Sequence, residues 1–144
     1  MPTIHIAESP AEIADCFPIM AQLRPHLERG EFMTRVQRQV ADSYRLAYLS
    51  TDSSVKAVAG YRIMENLAWG RFLYVDDLVT DQAARSKGYG KALLAWLAGH
   101  ACQNGCAQLH LDSGAQRKDA HRFYLREGME NAGFHFSMKL DDDN

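Results

Sequence analysis

Apolar and polar positions along this chain switch between two periods, and the switches lay out a mixed order of strands and helices. Residues 3–7 alternate as a short strand, after which Ser9-Pro10-Ala11-Glu12 has the form of a helix start, with a capping serine and proline at the first helical position. The helix predicted over 10–22 places Ile13, Phe17 and Met20 on one side. Pro25 and Gly30 break the pattern. Residues 31–42 then carry Phe32, Val36 and Val40 at four-residue spacing, a second helix with Arg35, Gln37 and Arg38 among its polar positions. Residues 44–49 form an apolar strand-like run, Asp52-Ser53-Ser54 supplies turn chemistry, and residues 55–64 make the next strand. After a turn over 66–70 come a strand over 72–80, a helix over 89–102 stopped by Asn104-Gly105, and a strand over 107–111. The last third predicts a helix over 117–127 ended by Gly128 and a final alternating strand over 134–140.

The strand over 72–80, its crossover helix and the strand over 107–111 make one right-handed βαβ unit. The two strands are therefore expected to be parallel, with the loop at the carboxyl end of the first, where such sheets bind ligands. That loop is Arg85, Ser86, Lys87, Gly88, Tyr89 and Gly90. Glycine lets a backbone take φ > 0 and approach a ligand closely, while the free amides and positive dipole end of the following helix favour an anion. Arg85 and Lys87 add side-chain cations. The segment reads as a phosphate-binding loop, with a plain strand-to-helix turn as the alternative. Its R-x-x-G-x-G spacing matches neither the G-x-x-x-x-G-K-[ST] loop nor the three-glycine dinucleotide fingerprint.

The spacing does resemble the pyrophosphate-binding signature of the GCN5-related N-acetyltransferases, which use acetyl-coenzyme A (acetyl-CoA). Two more segments are similar to that family. Asp76-Asp77-Leu78-Val79-Thr80 stands where the family has the strand along the pantetheine arm, and Ala120-His121-Arg122-Phe123-Tyr124-Leu125-Arg126-Glu127-Gly128-Met129 resembles its A-x-x-F-Y-x-x-x-G-F segment. The resemblance covers about the last 75 residues, and the first half is similar in outline only. It implies a mixed α/β (α+β) acyltransferase fold, with a mixed central sheet, splayed parallel strands and flanking helices, in a single domain over 1–144. The implied activity is transfer of the acetyl group of acetyl-CoA to a primary amine of a small molecule, by direct attack through a tetrahedral intermediate. Acetylation of protein N-termini or lysines, and a module that binds acyl-CoA without turnover, are the alternatives.

Such chemistry sets a specification. A primary amine with a pKa near 10.4 must lose a proton before it can attack, the developing oxyanion needs donors, and the departing thiolate benefits from an acid. Asp76 and Asp77 are the acidic candidates; alternation sends their side chains to opposite faces unless a bulge intervenes. Either could instead be a structural carboxylate paired with Arg71 or Lys91. Tyr124 matches the family tyrosine that lies near the thioester sulfur and protonates the thiolate, a role its hydroxyl can fill at neutral pH. By the same resemblance Leu78, Val79 and Thr80 run along the cofactor, with Leu78 and Thr80 offering backbone hydrogen bonds. Arg117 and His121 are further cofactor contacts, and His121 is an alternative base. Three departures from the family pattern stand out: Thr80 for the usual valine, Arg117 for a frequent asparagine, and Met129 for the phenylalanine after Gly128.

Composition narrows the picture further. A chain of 144 residues is the size of one domain and buries roughly two-thirds of its unfolded surface. Net charge of −2 gives no push toward nucleic acid or membrane, and no apolar run nears the roughly 18 residues of a membrane helix. Met1 to His5 lacks a basic region followed by an apolar one, so a cytoplasmic protein is expected. The three cysteines, Cys16, Cys102 and Cys106, are expected as reduced thiols; a zinc reading of Cys102, Cys106 and His110 fails because Gly105 interrupts their helix, and no metal is expected. The partners expected are acetyl-CoA and a small-molecule amine acceptor, with a homodimer as an open option. Arg24, His26, Arg29, Arg35 and Arg38 cluster around the two early helices, which the family uses to wall the acceptor site. Such charge suits a carboxylate or phosphonate, and also an ordinary solvated face.

Overall fold

A computed structural model of the chain describes residues 1–141. The backbone divides into two compact units, Met1–Leu111 and Asp112–Asn144. In the first, strands β1 (Thr3–Ile6), β2 (Tyr44–Thr51), β3 (Ser54–Asn66), β4 (Gly70–Thr80) and β5 (Gln108–Leu111) form one sheet in that spatial order. The first three pairings are antiparallel and β4–β5 is parallel, as the βαβ reading requires. Helices α1 (Pro10–Leu23), α2 (Arg29–Val40) and α3 (Tyr89–Gln103) complete the unit.

The predicted start of α1 and the predicted turn before β3 have local causes. Ser9 Oγ accepts from the Glu12 amide at 3.1 Å while Glu12 Oε1 accepts from the Ser9 amide at 3.1 Å, a reciprocal cap that satisfies two amides of the first turn of α1. Asp52 and Ser53, with φ of 51° and 65°, form the tight turn whose twist suits the β2–β3 hairpin.

Strand alternation feeds two separate cores. Tyr44 and Leu46 of β2 and Val58 of β3 pack with Ile13, Met20, Phe32 and Val36 of α1 and α2. Ala47, Leu49, Ala57, Ala59 and Tyr61, from the opposite face, pack with Leu93, Leu97 and Ala101 of α3. The sheet thus lies between α1 and α2 on one side and α3 on the other. Full burial of each large apolar side chain contributes about 1.5–3 kcal/mol, so these two interfaces carry the unit.

Asp112–Asn144 holds one regular element among its described residues, helix α4 (Lys118–Arg126). Gly128, with φ of 95°, follows its end, and the Met129 amide donates to the Tyr124 carbonyl at 3.0 Å. The final strand expected over 134–140 is not formed, and the side chains of Phe134, Phe136, Met138 and Leu140 are 81–90% exposed. Their period is a strand's, but a strand requires a ladder partner, and this unit offers none among its described residues. No helix among the described residues is long and apolar enough to cross a membrane.

Candidate active site

Strand β4 is where the fold departs from simple alternation. Gly60 pairs with Asp77 but Tyr61 pairs with Val75, so Asp76 is an extra residue, a β-bulge. Leu73, Val75 and Leu78 all join the α3-side core, whereas Val79 joins the α1/α2-side core. The two aspartates between Val75 and Leu78 therefore both turn toward α1 and α2, and they line one pocket. The expectation of opposite faces gives way because the bulge shifts the phase by one residue.

That pocket has a volume of about 470 Å³ and lies wholly within the first unit. Asp76 and Asp77 line it together with Tyr44, Arg24 and Arg35, while Met20, Phe32 and Val36 give it an apolar wall. The carboxylates do not make the alternative pairing with Arg71 or Lys91; Arg71 instead donates to the Asn104 carbonyl at 2.6 Å. Arg62 Nε donates to Asp76 Oδ2 at 2.9 Å, and its Nη2 donates to Gln39 Oε1 at 2.6 Å. The same guanidinium stands 5.2 Å from the centre of the Tyr44 ring. Tyr44 Oη donates to Asp77 Oδ2 at 3.0 Å. Arg24 donates from Nε to Asp77 Oδ1 at 3.0 Å and from Nη2 to the Asp76 carbonyl at 3.2 Å.

Asp76 Oδ1 is screened from solvent and takes no hydrogen bond, and burial raises the Asp76 pKa, a shift that Arg62 opposes but does not cancel. Burial, followed by the charge of Asp77, pushes the Tyr44 phenol well above its usual value, so it remains a fixed donor. Gly60 makes this arrangement possible. A Cβ built there would fall on the Tyr44 hydroxyl and lie 2.7 Å from Asp77 Oδ2. Arg62, Tyr44, Gln39 and Gly60 were not singled out by sequence. Gly60 alone carried a signal, since an isolated glycine in an apolar strand marks a bulge or a close approach.

Beyond the bulge, β4 and β5 pair only from Phe72↔Gln108 to Val75↔Leu111. The Asp81 amide donates to the Lys56 carbonyl on β3 at 2.7 Å. By alternation Leu78 and Thr80 direct their amides and carbonyls to the other edge, which the β4–β5 ladder does not reach. Val79 faces β3 and the α1/α2-side core. Gln22 at the end of α1 holds the next turn, donating to Asp81 Oδ1 at 3.1 Å and accepting from the Gln82 amide at 2.8 Å.

The loop then runs through Arg85, Ser86, Lys87 and Gly88, all exposed, into α3, whose first turn holds Tyr89 and Gly90. Gly88 is the N-cap with φ 81° and ψ 10°, and Ser86 also has a positive φ of 68°. Nothing lies within 4 Å of a Cβ built on Gly88. Two left-handed residues before a helix start form a concavity of amides, and the first-turn amides of α3 have no partner within the helix. With Arg85 and Lys87 beside it, this donor set fits a pyrophosphate.

Tyr124, Arg117 and His121 belong to the second unit. Tyr124 is half-buried, 5.3 Å from the Phe123 ring centre; burial raises its phenol pKa and Arg117 opposes the shift. Arg117 is the N-cap residue of α4, and a ring nitrogen of His121 bonds the Gly114 carbonyl at 2.7 Å. His110, in the first unit, stacks on Trp69 at 3.5 Å. The cysteines are free, and among the described residues no three His, Cys, Asp or Glu gather as a metal site.

Residues 12–129 match the model of the Acetyltransferase (GNAT) family. The chain is 39% identical over 124 residues to the uncharacterised N-acetyltransferase YhdJ of Bacillus subtilis (strain 168), covering 84% of this chain and 87% of that one. It is 39% identical over 66 residues to an aminoalkylphosphonate N-acetyltransferase of Salmonella typhimurium, a match spanning 46% of this chain and 43% of the relative. The fold is similar to that of AAC(6')-Iy, solved with the bisubstrate analogue CoA-S-monomethyl-acetylneamine, with a TM-score of 0.86 at 12% identity over 98% of this chain and 99% of that one. The chain belongs to the GNAT family of acetyltransferases and is an acetyl-CoA-dependent acyltransferase.

Proposed function

We propose that this enzyme acetylates a primary amine of a small molecule, with Asp76 and Asp77 receiving the amine and its proton. The observation that carries the reading is the bulge that turns both carboxylates into one pocket of about 470 Å³, within the size range of small-ligand sites. Arg85, Ser86, Lys87, Gly88, Tyr89 and Gly90 hold the pyrophosphate of acetyl-CoA, and the free edge at Leu78 and Thr80 holds its pantetheine amides. Arg117 and His121 contribute further contacts to it. Acetyl-CoA brings an acyl group activated as a thioester, and the residues of this chain do the rest. An ammonium bound at the carboxylate pair loses its proton to Asp76 or Asp77, directly or through water, and its nitrogen attacks the carbonyl to give a tetrahedral adduct. A raised pKa suits Asp76 to this, since a carboxylate that holds its proton more tightly is a stronger base. Tyr124 then supplies a proton to the departing thiolate as the carbon–sulfur bond breaks, and the acylated nitrogen gives its remaining extra proton, directly or through water, to the phenolate so formed, leaving the neutral amide. The small-molecule relatives, one named for aminoalkylphosphonate, support an acceptor of this size.

Thiol release from acetyl-CoA, measured with small primary amines and with peptides, tests the reading. Turnover is expected with small amines, and Tyr124→Phe is expected to lower kcat by roughly ten- to a thousandfold with coenzyme affinity kept. Acetylation confined to peptide N-termini or lysines would replace the small-molecule acceptor. Wild-type kcat in Tyr124→Phe would remove the tyrosine from the acid role.

A further inference from the structure

Charge in the acceptor pocket is balanced in a way that constrains what enters it. Asp76 is neutralised by Arg62 at 2.9 Å and Asp77 by Arg24 at 3.0 Å. Arg35 also lines the pocket, and its Glu31 partner is 3.9 Å away with both side chains about half exposed, a weak contact. Among the lining residues Arg24 and Arg35 stand against Asp76 and Asp77, two charges of each sign, and their outside partners Arg62 and Glu31 add one more of each. This is not the acidic pocket that a diamine or other purely cationic acceptor would favour.

The two arginines around the carboxylates also differ. Arg62 is three-quarters buried, tied to Gln39 and placed over Tyr44. Arg24 is 44% exposed, sits at the end of α1, and occupies Asp77 Oδ1. An acceptor ammonium that binds Asp77 meets Arg24 at Oδ1 and Tyr44 at Oδ2, and beside Arg24 it brings a second positive charge to the same carboxylate. A plain amine would leave Arg24 without a counterion and bring the pocket one unbalanced positive charge. An acceptor bearing its own anion gives Arg24 a new partner beside Arg35 and His26, and leaves the charges balanced.

We infer that the acceptor is dipolar, a short amine carrying a carboxylate or phosphonate, and that Arg24 is exchanged from Asp77 to this anion, where Arg35 joins it. This rests on the pocket being the acceptor site of a small-molecule acetyltransferase and adds the class of acceptor. A guanidinium meets either anion through paired N–H donors, so both sources share one chemistry. The apolar wall of Met20, Phe32 and Val36 suits a short alkyl link between the two charges.

The test is thiol release at saturating acetyl-CoA with n-propylamine, 1,3-diaminopropane, β-alanine, 2-aminoethylphosphonate and a lysine peptide, using the full chain and Arg35→Gln. The dipolar compounds are expected to exceed both plain amines in kcat/KM by at least about tenfold, and Arg35→Gln to shrink that ratio by about tenfold. The order of β-alanine and 2-aminoethylphosphonate distinguishes carboxylate from phosphonate. Equal or better use of n-propylamine or the diamine, or a ratio unchanged in Arg35→Gln, would overturn the dipolar acceptor and leave the small-molecule reading standing. Acetylation of the peptide alone would overturn both.

Discussion

The loop proposed for the coenzyme, beyond the end of β4, and the pocket proposed for the acceptor, at the β4 bulge, are built by opposite means. The loop is contiguous: its cations, its two left-handed residues and the helix start that follows all fall within Arg85 to Gly90. The pocket joins Arg24, Tyr44, Arg62 and Asp77, separated by as many as 53 residues, through hydrogen bonds across the sheet and from the end of α1. A loop held by backbone geometry is broken by changing one φ. A pocket held by a side-chain network is broken by moving one member. The difference predicts that damage in each region changes one substrate's binding and spares the other's.

The largest effect is expected at Gly88. With φ at 81°, a β-branched residue is strained there, and its side chain would project into the open space above the loop, where a pyrophosphate has to approach. Gly88→Val should weaken calorimetric binding of acetyl-CoA by about a hundredfold or more, the scale of about 3 kcal/mol of strain and lost amide contacts. Undiminished affinity in a folded variant would show that the loop does not hold the coenzyme.

Gly60→Ala should give a smaller effect in the other region. The added methyl must displace the Tyr44 hydroxyl or the Asp77 carboxylate, since it cannot coexist with both. Acceptor KM is expected to rise about tenfold, with acetyl-CoA affinity unchanged and stability lowered by about 1–3 kcal/mol from overpacking. If the acceptor kinetics stay at wild-type values while stability falls, Gly60 serves packing alone and the network does not set the acceptor site.

The same contrast explains what could be read from sequence. The turn over Arg85 to Gly90 into α3 was legible because its geometry is local, as was the α1 start, where Ser9 and Glu12 cap each other within one turn. The order of strands and helices in the first unit and the parallel β4–β5 pair followed from periodicity and the handedness of the crossover. The partners of the aspartates were not legible. Arg62 reads as one more polar position of β3, and its link to Asp76 depends on a bulge that no local pattern in Tyr74-Val75-Asp76-Asp77 announces. The strand expected over 134–140 shows the reverse failure: its alternation is present, yet alternation states which face a side chain would take and not whether an edge is there to pair with.

The central claim is that the carboxylate pair takes the acceptor's proton, and the pH dependence of turnover in Asp76→Asn and Asp77→Asn tests it most directly. Burial raises the Asp76 pKa, so wild-type activity should fall on the acid side as pH drops through a value above the ordinary aspartate one, where Asp76 gains a proton and stops acting as a base. At least one variant should lose turnover at neutral pH, by roughly ten- to a thousandfold, and the deficit should shrink as pH rises toward the amine's own pKa near 10.4. Turnover unaffected in both variants, or a deficit that stays constant across pH, would contradict the claim and leave the aspartates with acceptor binding or structure alone.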